Sequence, residues 1–239
     1  MNIYLRRGFK EFWVRVRLLS IELLIVLVAF FISMAAFIFL ARMVFLQKRE
    51  EMDLYFFSYF ETQINSLNTG VMQFFSFMGS HYFLIPANIL LAAFFLLVKK
   101  QRWYSIKIPV ISLSSLLLMF LLKAFFHRER PLDPLLKAAK GLSFPSGHAL
   151  MSFAFYGLII YSIWSEMENK VLKVILISLL VFLILFIGIS RIYLRVHYAS
   201  DVLAGFSLGL IWLVFSLFVL NRLEHTRLQP QIDKAVTSK

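Results

Sequence analysis

Three short clusters of polar residues interrupt a chain that is otherwise strongly apolar. At average amino-acid usage, a specified tetrapeptide such as the second cluster arises by chance at about 10⁻⁵ or less per starting position. Three spaced clusters of this kind in one chain therefore indicate a site that performs chemistry. The clusters are Lys123 with Arg130-Pro131, then Pro145-Ser146-Gly147-His148, and then Ser190-Arg191 with His197 and Asp201.

The basic residues of the clusters predict an anion site. Lys123, Arg130 and Arg191 would place three cations beside hydrocarbon, where unpaired charges are costly and usually functional. Arginine offers planar bidentate donors and lysine a point charge, and together they suit the oxygens of phosphate. Pro145 disfavours helix just before it, so we expect Ser146-Gly147 at a helix N-terminus, where free N–H groups attract an anion.

The histidines predict a nucleophile and an acid–base group. His197 and Asp201 are four residues apart, which would place both on one helical face within hydrogen-bond reach. A carboxylate that accepts from one imidazole nitrogen fixes the tautomer and leaves the other nitrogen free to attack. His148, from another helix, would protonate the departing alkoxide and later activate water.

Together the three clusters resemble the signature of the type 2 phosphatidic acid phosphatase (PAP2) family of membrane lipid phosphatases. Relatives include bacterial phosphatidylglycerophosphate and undecaprenyl diphosphate phosphatases. The resemblance covers residues 123–201 by motif and implies a phosphohistidine intermediate with no metal and no cofactor. It implies His197, His148 and Asp201 as catalytic residues, and as phosphate-binding residues Lys123, Arg130, Ser146, Gly147 and Arg191.

Composition places the chain in a bilayer. Of its 239 residues, 60% are hydrophobic and 16% are charged, and the mean hydropathy is +0.79. No linker-like tract divides it, so we expect one domain over residues 1–239. The absence of cysteine excludes disulfides and thiolate chemistry. The net charge of +12 lies in short clusters between apolar runs, which indicates membrane topology and no nucleic-acid partner.

Six apolar stretches are long enough to cross a hydrocarbon core of about 30 Å, and the predicted fold is therefore an all-α polytopic membrane protein. The third stretch is the weakest, because Lys123 lies inside its last turns. The spans are predicted at 18–41, 82–98, 104–126, 148–165, 172–190 and 200–221.

Basic residues predict the orientation. With both termini in the cytoplasm, inside segments hold 15 Lys and Arg and outside segments hold 10. Residues 1–17 and 222–239 would be cytoplasmic tails. The aromatic segment 46–80 would form short interfacial helices on the outer face, and a re-entrant segment is the alternative. The active site would then face the periplasm or exterior of a bacterial plasma membrane.

The leading hypothesis is hydrolysis of lipid mono- or diphosphates at the outer leaflet, with the bilayer and a lipid phosphate as partners. Candidates are phosphatidate, phosphatidylglycerophosphate and undecaprenyl diphosphate. Because moving lipid tails into water costs about 0.8 kcal/mol per CH₂, we expect a lateral opening between helices. A lipid phosphotransferase and a phosphate or anion transporter are the alternatives.

The remaining basic side chains are predicted to be structural. His81, His127 and His225 are assigned to packing or to the interface. Surface charges near headgroups are expected at Arg128, Arg195, Lys137 and Lys140.

Overall fold

A computed structural model describes residues 21–135 and 141–237, with side chains through residue 227. The predicted N-terminal tail, Lys137 and Lys140 lie outside the described residues. All regular structure in the described part is helical. The helices are α1 (Ile21–Phe45), α2 (Glu51–Glu61), α3 (Ser66–Met78), α4 (His81–Ala93), α5 (Arg102–Phe126), α6 (Gly147–Glu166), α7 (Lys170–Tyr193) and α8 (Ala199–Thr237).

Six of these helices are long and apolar enough to span a membrane, as predicted. They are α1, α4 with its π-helical continuation Phe94–Val98, α5, α6, α7, and α8 as far as Arg227. The predicted tail from residue 222 begins as a continuation of α8, because Arg222, Leu223 and Glu224 are good helix formers. Segment 46–80 contains the short helices α2 and α3.

Helices α6 and α8 form the centre of the bundle. Gly205 and Gly209 of α8 let the two backbones approach closely: a Cβ at Gly205 would lie 2.7 Å from the Ser146 carbonyl oxygen. A Cβ at Gly209 would lie 2.6 Å from the Phe153 Cβ. Small residues at such spacing are typical of packed membrane helices. The centre of the molecule is therefore closely packed.

The outer helices are far less buried. Helix α1 packs against α8, and its only buried residues are Leu40 and Met43. Its Phe45 ring lies 5.2 Å from that of Phe144, which is fully buried in the loop before α6. Helix α1 therefore supports the loop that leads into the second polar cluster.

Helix ends follow from local sequence. The side chains of Asn65, Ser146 and Asn169 each accept a hydrogen bond from a first-turn N–H of α3, α6 and α7, respectively. Helix α5 ends at His127, which adopts a left-handed conformation with φ 48°. This turn directs Arg128 and Arg130 across the end of the bundle that carries His148, here called the His148 end.

Candidate active site

The three polar clusters meet at the His148 end. Lys123 lies in the last turn of α5, His148 in the first turn of α6, and Arg191 in the last turn of α7. Lys123, Arg130, Gly147, His148 and His197 line one cavity. The structure thus brings together groups that are up to 74 residues apart in the sequence.

The start of α6 has the geometry of an anion site. Gly147 is its first residue, and the backbone N–H of the preceding Ser146 donates to the Asp201 carbonyl at 2.9 Å. The next N–H groups belong to the first turn, where a helix supplies no partner and the dipole favours negative charge. A Cβ at Gly147 would lie 2.4 Å from the Met119 sulfur, so glycine also keeps this wall of the cavity open.

Three cations surround this helix start without a carboxylate partner. Within the described residues, Lys123, Arg130 and Arg191 form no ion pair. Lys123 donates to the Leu142 and Ser143 carbonyls, which explains how a lysine is tolerated inside a span. Such uncompensated charge favours a bound anion of high charge.

The two arginines are held by neutral groups. Arg130 donates from Nε to the Gly141 carbonyl at 3.0 Å and from Nη1 to the Val196 carbonyl at 2.7 Å. Arg191 is buried and donates to the Ser76 hydroxyl of α3, while its Nε has no partner. Each guanidinium therefore keeps donor capacity for a ligand.

His197 and Asp201 are adjacent, but the predicted helical face is wrong. His197 precedes α8, and Asp201 is in its first turn, where its Oδ2 accepts from the Tyr198 N–H at 2.9 Å. Nδ1 of His197 faces Asp201 Oδ2 at 3.5 Å. Nε2 lies on the other side of the ring, 3.4 Å from Arg130 Nη1. Asp201 and Arg130 thus face opposite nitrogens of one imidazole.

Burial determines the charge state of His197. It lowers the pKa of the imidazole to about 3, against the opposing influence of Asp201, and the charges of Arg130 and Arg191 act in the same direction as burial. The ring is therefore neutral at neutral pH, with a lone pair on one nitrogen.

Ser143 also contacts this pair, although no sequence motif marks it. Its hydroxyl donates to Asp201 Oδ2 and lies 3.3 Å from His197 Nδ1. A serine in the loop before the second cluster has no motif of its own. Ser76, which contacts Arg191, was missed for the same reason.

Arg128 is not a surface charge, and that prediction is wrong. Its guanidinium forms ion pairs with Asp201 at 2.7 Å and with Asp53 of α2 at 2.8 Å. Burial works to lower the pKa of Arg128, but the two carboxylates outweigh it and the pKa is raised. By contrast, Arg195 pairs at 3.4 Å with the exposed Glu61, as expected of a surface residue.

The cavity continues from the histidines into the apolar part of the bundle. Its volume is about 1170 Å³, larger than the roughly 300–1,000 Å³ of most small-molecule pockets. Residues of α4 and α5 form most of its walls. Several of these side chains, including Ile89, Leu113 and Phe120, are also largely exposed. His81 and His127, predicted to be structural, also line it. The site is therefore continuous with a long apolar space between two helices.

The donor types of the site suit an anion and not a metal ion. In the described parts of the chain, no three His, Asp or Glu side chains cluster closely enough to hold one. Asp201, which faces His197, is already ion-paired with Arg128, as is Asp53.

Fold and site together define an integral membrane protein of six apolar helices, with Lys123, Arg130 and Arg191 gathered near two histidines. Residues 104–224 match the model of the PAP2 superfamily. The chain belongs to this family and is a membrane phosphatase of the PAP2 type. All the predicted site residues fall within the matched range, whereas Asp53 and Ser76 lie outside it.

Individual relatives agree with this assignment. Phosphatidylglycerophosphatase B of Bacillus subtilis (strain 168) is 33% identical over 150 residues, which are 62% of this chain and 71% of that protein. The crystal structure of a transmembrane PAP2-type phosphatidylglycerolphosphate phosphatase from Bacillus subtilis matches with a TM-score of 0.71 at 25% identity, over 81% of this chain and 94% of that one. LpxE of Aquifex aeolicus matches with a TM-score of 0.51 at 25% identity, over 69% of this chain and 93% of that one.

Proposed function

We propose that this phosphatase hydrolyses lipid mono- or diphosphates at the outer leaflet, without a metal ion, through a phosphohistidine on His197. One observation carries the proposal: Lys123, Arg130 and Arg191, which form no ion pair among the described residues, lie close together near a neutral histidine that lines an apolar cavity. The cations would neutralise the transferring phosphoryl group, the task that metal ions perform in many phosphotransfer enzymes.

In the first half of the reaction, the lone pair of His197 Nε2 attacks phosphorus as the P–O bond to the lipid alkoxide breaks. Asp201 holds the opposite nitrogen, which directs Nε2 toward the cations. His148 gives its proton to the departing alkoxide oxygen, and the dephosphorylated lipid leaves. The product is a phosphoramidate P–N bond on His197.

In the second half, water replaces the lipid. His148, now neutral, takes a proton from the water as its oxygen attacks phosphorus and the P–N bond breaks. Inorganic phosphate leaves, His197 regains its lone pair, and His148 is protonated for the next cycle. Lys123, Arg130, Arg191 and the first turn of α6 bind the phosphoryl oxygens throughout.

The substrate class is inferred from the cavity. Leu84, Ile85 and Ile89 of α4 face Leu116 and Phe120 of α5 across it. A lipid that enters between these helices keeps its tails among apolar groups, which avoids a cost of about 0.8 kcal/mol per CH₂ in water. We therefore assign long-chain lipid phosphates, including phosphatidate, phosphatidylglycerophosphate and undecaprenyl diphosphate, as the substrate class.

Purified protein assayed against these lipids tests the activity. We expect release of inorganic phosphate, unchanged by EDTA and inhibited by vanadate. Strict dependence on added Mg²⁺ would refute the metal-free mechanism, and transfer of phosphate to a second lipid without release would make the protein a phosphotransferase.

The role of His197 has its own test. His197→Ala should abolish turnover and the acid-labile phosphoenzyme seen by rapid quench, while Asp201→Asn should retain a small residual rate because the imidazole remains. Thermal unfolding of each variant in detergent serves as the control for folding. A phosphoenzyme that persists in His197→Ala would contradict the assignment.

Orientation is tested with single cysteines, since the chain has none of its own. Leu132 is 92% exposed in the loop between α5 and α6, and Glu168 is exposed between α6 and α7. Cysteine at 132 should react with an impermeant thiol reagent from outside the cell, and cysteine at 168 only from inside. Gly141 is unsuitable because its φ of 86° strains any side chain. Labelling of both cysteines from one side would contradict the topology.

A further inference from the structure

Arg128 differs from the other cations of the site because both terminal nitrogens of its guanidinium bind carboxylates. Nη1 donates to Asp201 Oδ1 and to the Ser200 hydroxyl, each at 2.7 Å, and Nη2 donates to Asp53 Oδ2 at 2.8 Å. The Tyr198 ring covers one face at 4.0 Å. A phosphate would therefore have to compete with two carboxylates for the terminal nitrogens of Arg128, although Arg128 lies two residues from Arg130.

Asp53 is the second unusual group. It belongs to α2, a helix that otherwise exposes Leu54, Tyr55 and Tyr59, yet its own side chain is 1% exposed. It accepts from the Ser200 N–H at Oδ1 and from the Ser200 hydroxyl at Oδ2, both at 2.8 Å, besides its bond to Arg128. The carboxylate thus caps the N-terminus of α8 from another helix, where the dipole favours negative charge.

These bonds determine where Asp201 points. Its Oδ2 accepts hydrogen bonds from the Ser143 hydroxyl and the Tyr198 N–H and faces His197 Nδ1. Its Oδ1 accepts a hydrogen bond from Arg128 Nη1. Asp53 in turn fixes Arg128 and the first turn of α8, which carries Asp201. A chain of contacts therefore runs from α2 through two charged residues to the nucleophile.

We propose that Asp53 and Arg128 are positioning residues, which fix the Asp201 carboxylate and through it the orientation of His197 for phosphoryl transfer. The proposal depends on His197 being the nucleophile. Arg128 is already paired with two carboxylates, and Asp53 is itself an anion, so we expect neither to bind a phosphate substrate. Small displacements of a reacting group can cost about 100-fold in rate, so the effect should fall on kcat.

The test compares Asp53→Asn, Arg128→Lys and Arg128→Gln in the full chain reconstituted in nanodiscs, with long-chain phosphatidate as the probe substrate. Asp53→Asn keeps the shape but removes the charge, and should lower kcat about tenfold. Arg128→Gln should lower it about 100-fold. Arg128→Lys should lie between the two, because an ammonium keeps the charge but cannot bridge both carboxylates. KM should stay within about twofold in all three.

The chain offers a matched control in Arg195 and Glu61. This pair also joins α2 to the segment between α7 and α8, at 3.4 Å, but Glu61 is exposed and the pair has no contact with Asp201. Arg195→Gln and Glu61→Gln should keep both kcat and KM within about twofold, in line with the small effect of exposed ion pairs.

Several results would overturn the proposal. An increased KM with unchanged kcat would make Arg128 a substrate ligand, and wild-type kcat in Asp53→Asn and Arg128→Gln would remove any positioning role. If Asp53→Asn, the isosteric variant, no longer folds, the pair is structural and the proposal fails. His197→Ala distinguishes failure of this inference from failure of the proposed mechanism. If His197→Ala is inactive while Asp53→Asn and Arg128→Gln are fully active, only the positioning role is refuted. If His197→Ala is active, the proposed mechanism itself is refuted.

Discussion

Cations that range from buried to half-exposed lie at both ends of the helix bundle, but their partners differ between the two ends. At the end opposite His148, Lys107 is 3% exposed and pairs with Glu224 at 2.7 Å, and Lys99 pairs with Glu166 at 3.2 Å. At the His148 end, Arg128 pairs with Asp53 and Asp201. Among the described residues, however, Lys123, Arg130 and Arg191 form no ion pair and donate to uncharged groups.

The difference separates a structural use of charge from a functional one. A buried cation with a matched carboxylate joins helices and requires no ligand. A buried cation whose hydrogen-bond acceptors are all neutral keeps an uncompensated positive charge. This charge destabilises the fold but attracts an incoming anion. Activity and stability should therefore respond in opposite ways to mutation at the two ends.

The largest effect on activity is expected for Arg191→Met. Removal of one preorganised donor to a developing charge typically costs about 100- to 1,000-fold in rate, so kcat/KM for lipid phosphate should fall at least 100-fold. The midpoint of thermal unfolding in detergent should not fall, because a buried cation without a carboxylate is removed. A marked loss of thermal stability together with the loss of activity would show that Arg191 is structural.

A substitution that narrows the cavity is expected to have an intermediate effect on activity. Leu116 lines the cavity, whereas its neighbour Leu117 is 61% exposed on the outside of α5. Leu116→Trp should lower kcat/KM for a long-chain substrate about tenfold, because one lost aliphatic contact or one clash is worth about 1–3 kcal/mol. Leu117→Trp should leave kcat/KM unchanged. Hydrolysis of glycerol phosphate should be slow in wild type and insensitive to both substitutions. Equal losses for both substrates in Leu116→Trp would show that the cavity does not hold the lipid tails.

The smallest effect on activity is expected at the opposite end. Lys107→Met should keep kcat/KM within about twofold, because Lys107 lies 16 residues, or about 24 Å along α5, from Lys123. It should lower stability, since Glu224 loses its partner. That residue is 26% exposed and can be rehydrated, so the loss should be about 1–2 kcal/mol, below the 3–5 kcal/mol of fully buried pairs. An inactive but stable Lys107→Met would abolish the distinction between the two ends.

The features of the fold and site that could be predicted from sequence are those that residues close together in the chain determine. The six spans are continuous apolar runs that a plot of hydropathy along the sequence detects. The motif residues occur at fixed local spacings. His197 and Asp201 were correctly paired because four residues keep two side chains close even when only one is helical. Spacing alone did not show that the helix starts at Ala199, after the histidine.

Contacts between distant segments were not predictable in this way. Arg128 was assigned to the surface because its partner Asp53 lies 75 residues earlier, in a helix expected to rest on the membrane. The acidic residue two positions before the aromatic run of α2 was the one available hint, since a carboxylate beside apolar groups needs a partner. Ser76 and Ser143 carry no such hint, because serine is common at every depth of a helical membrane protein.

The hydrogen bond from the Ser146 amide to the Asp201 carbonyl ties the loop that opens α6 to the first turn of α8. Together with the close approach of Gly205 to the Ser146 carbonyl, it makes these two segments a single mechanical unit. We therefore expect the first turn of α6 and the first turn of α8 to move together while lipids exchange. In hydrogen-exchange experiments the Ser146 amide should therefore open only with the core of the bundle, far more slowly than its position in a loop would suggest.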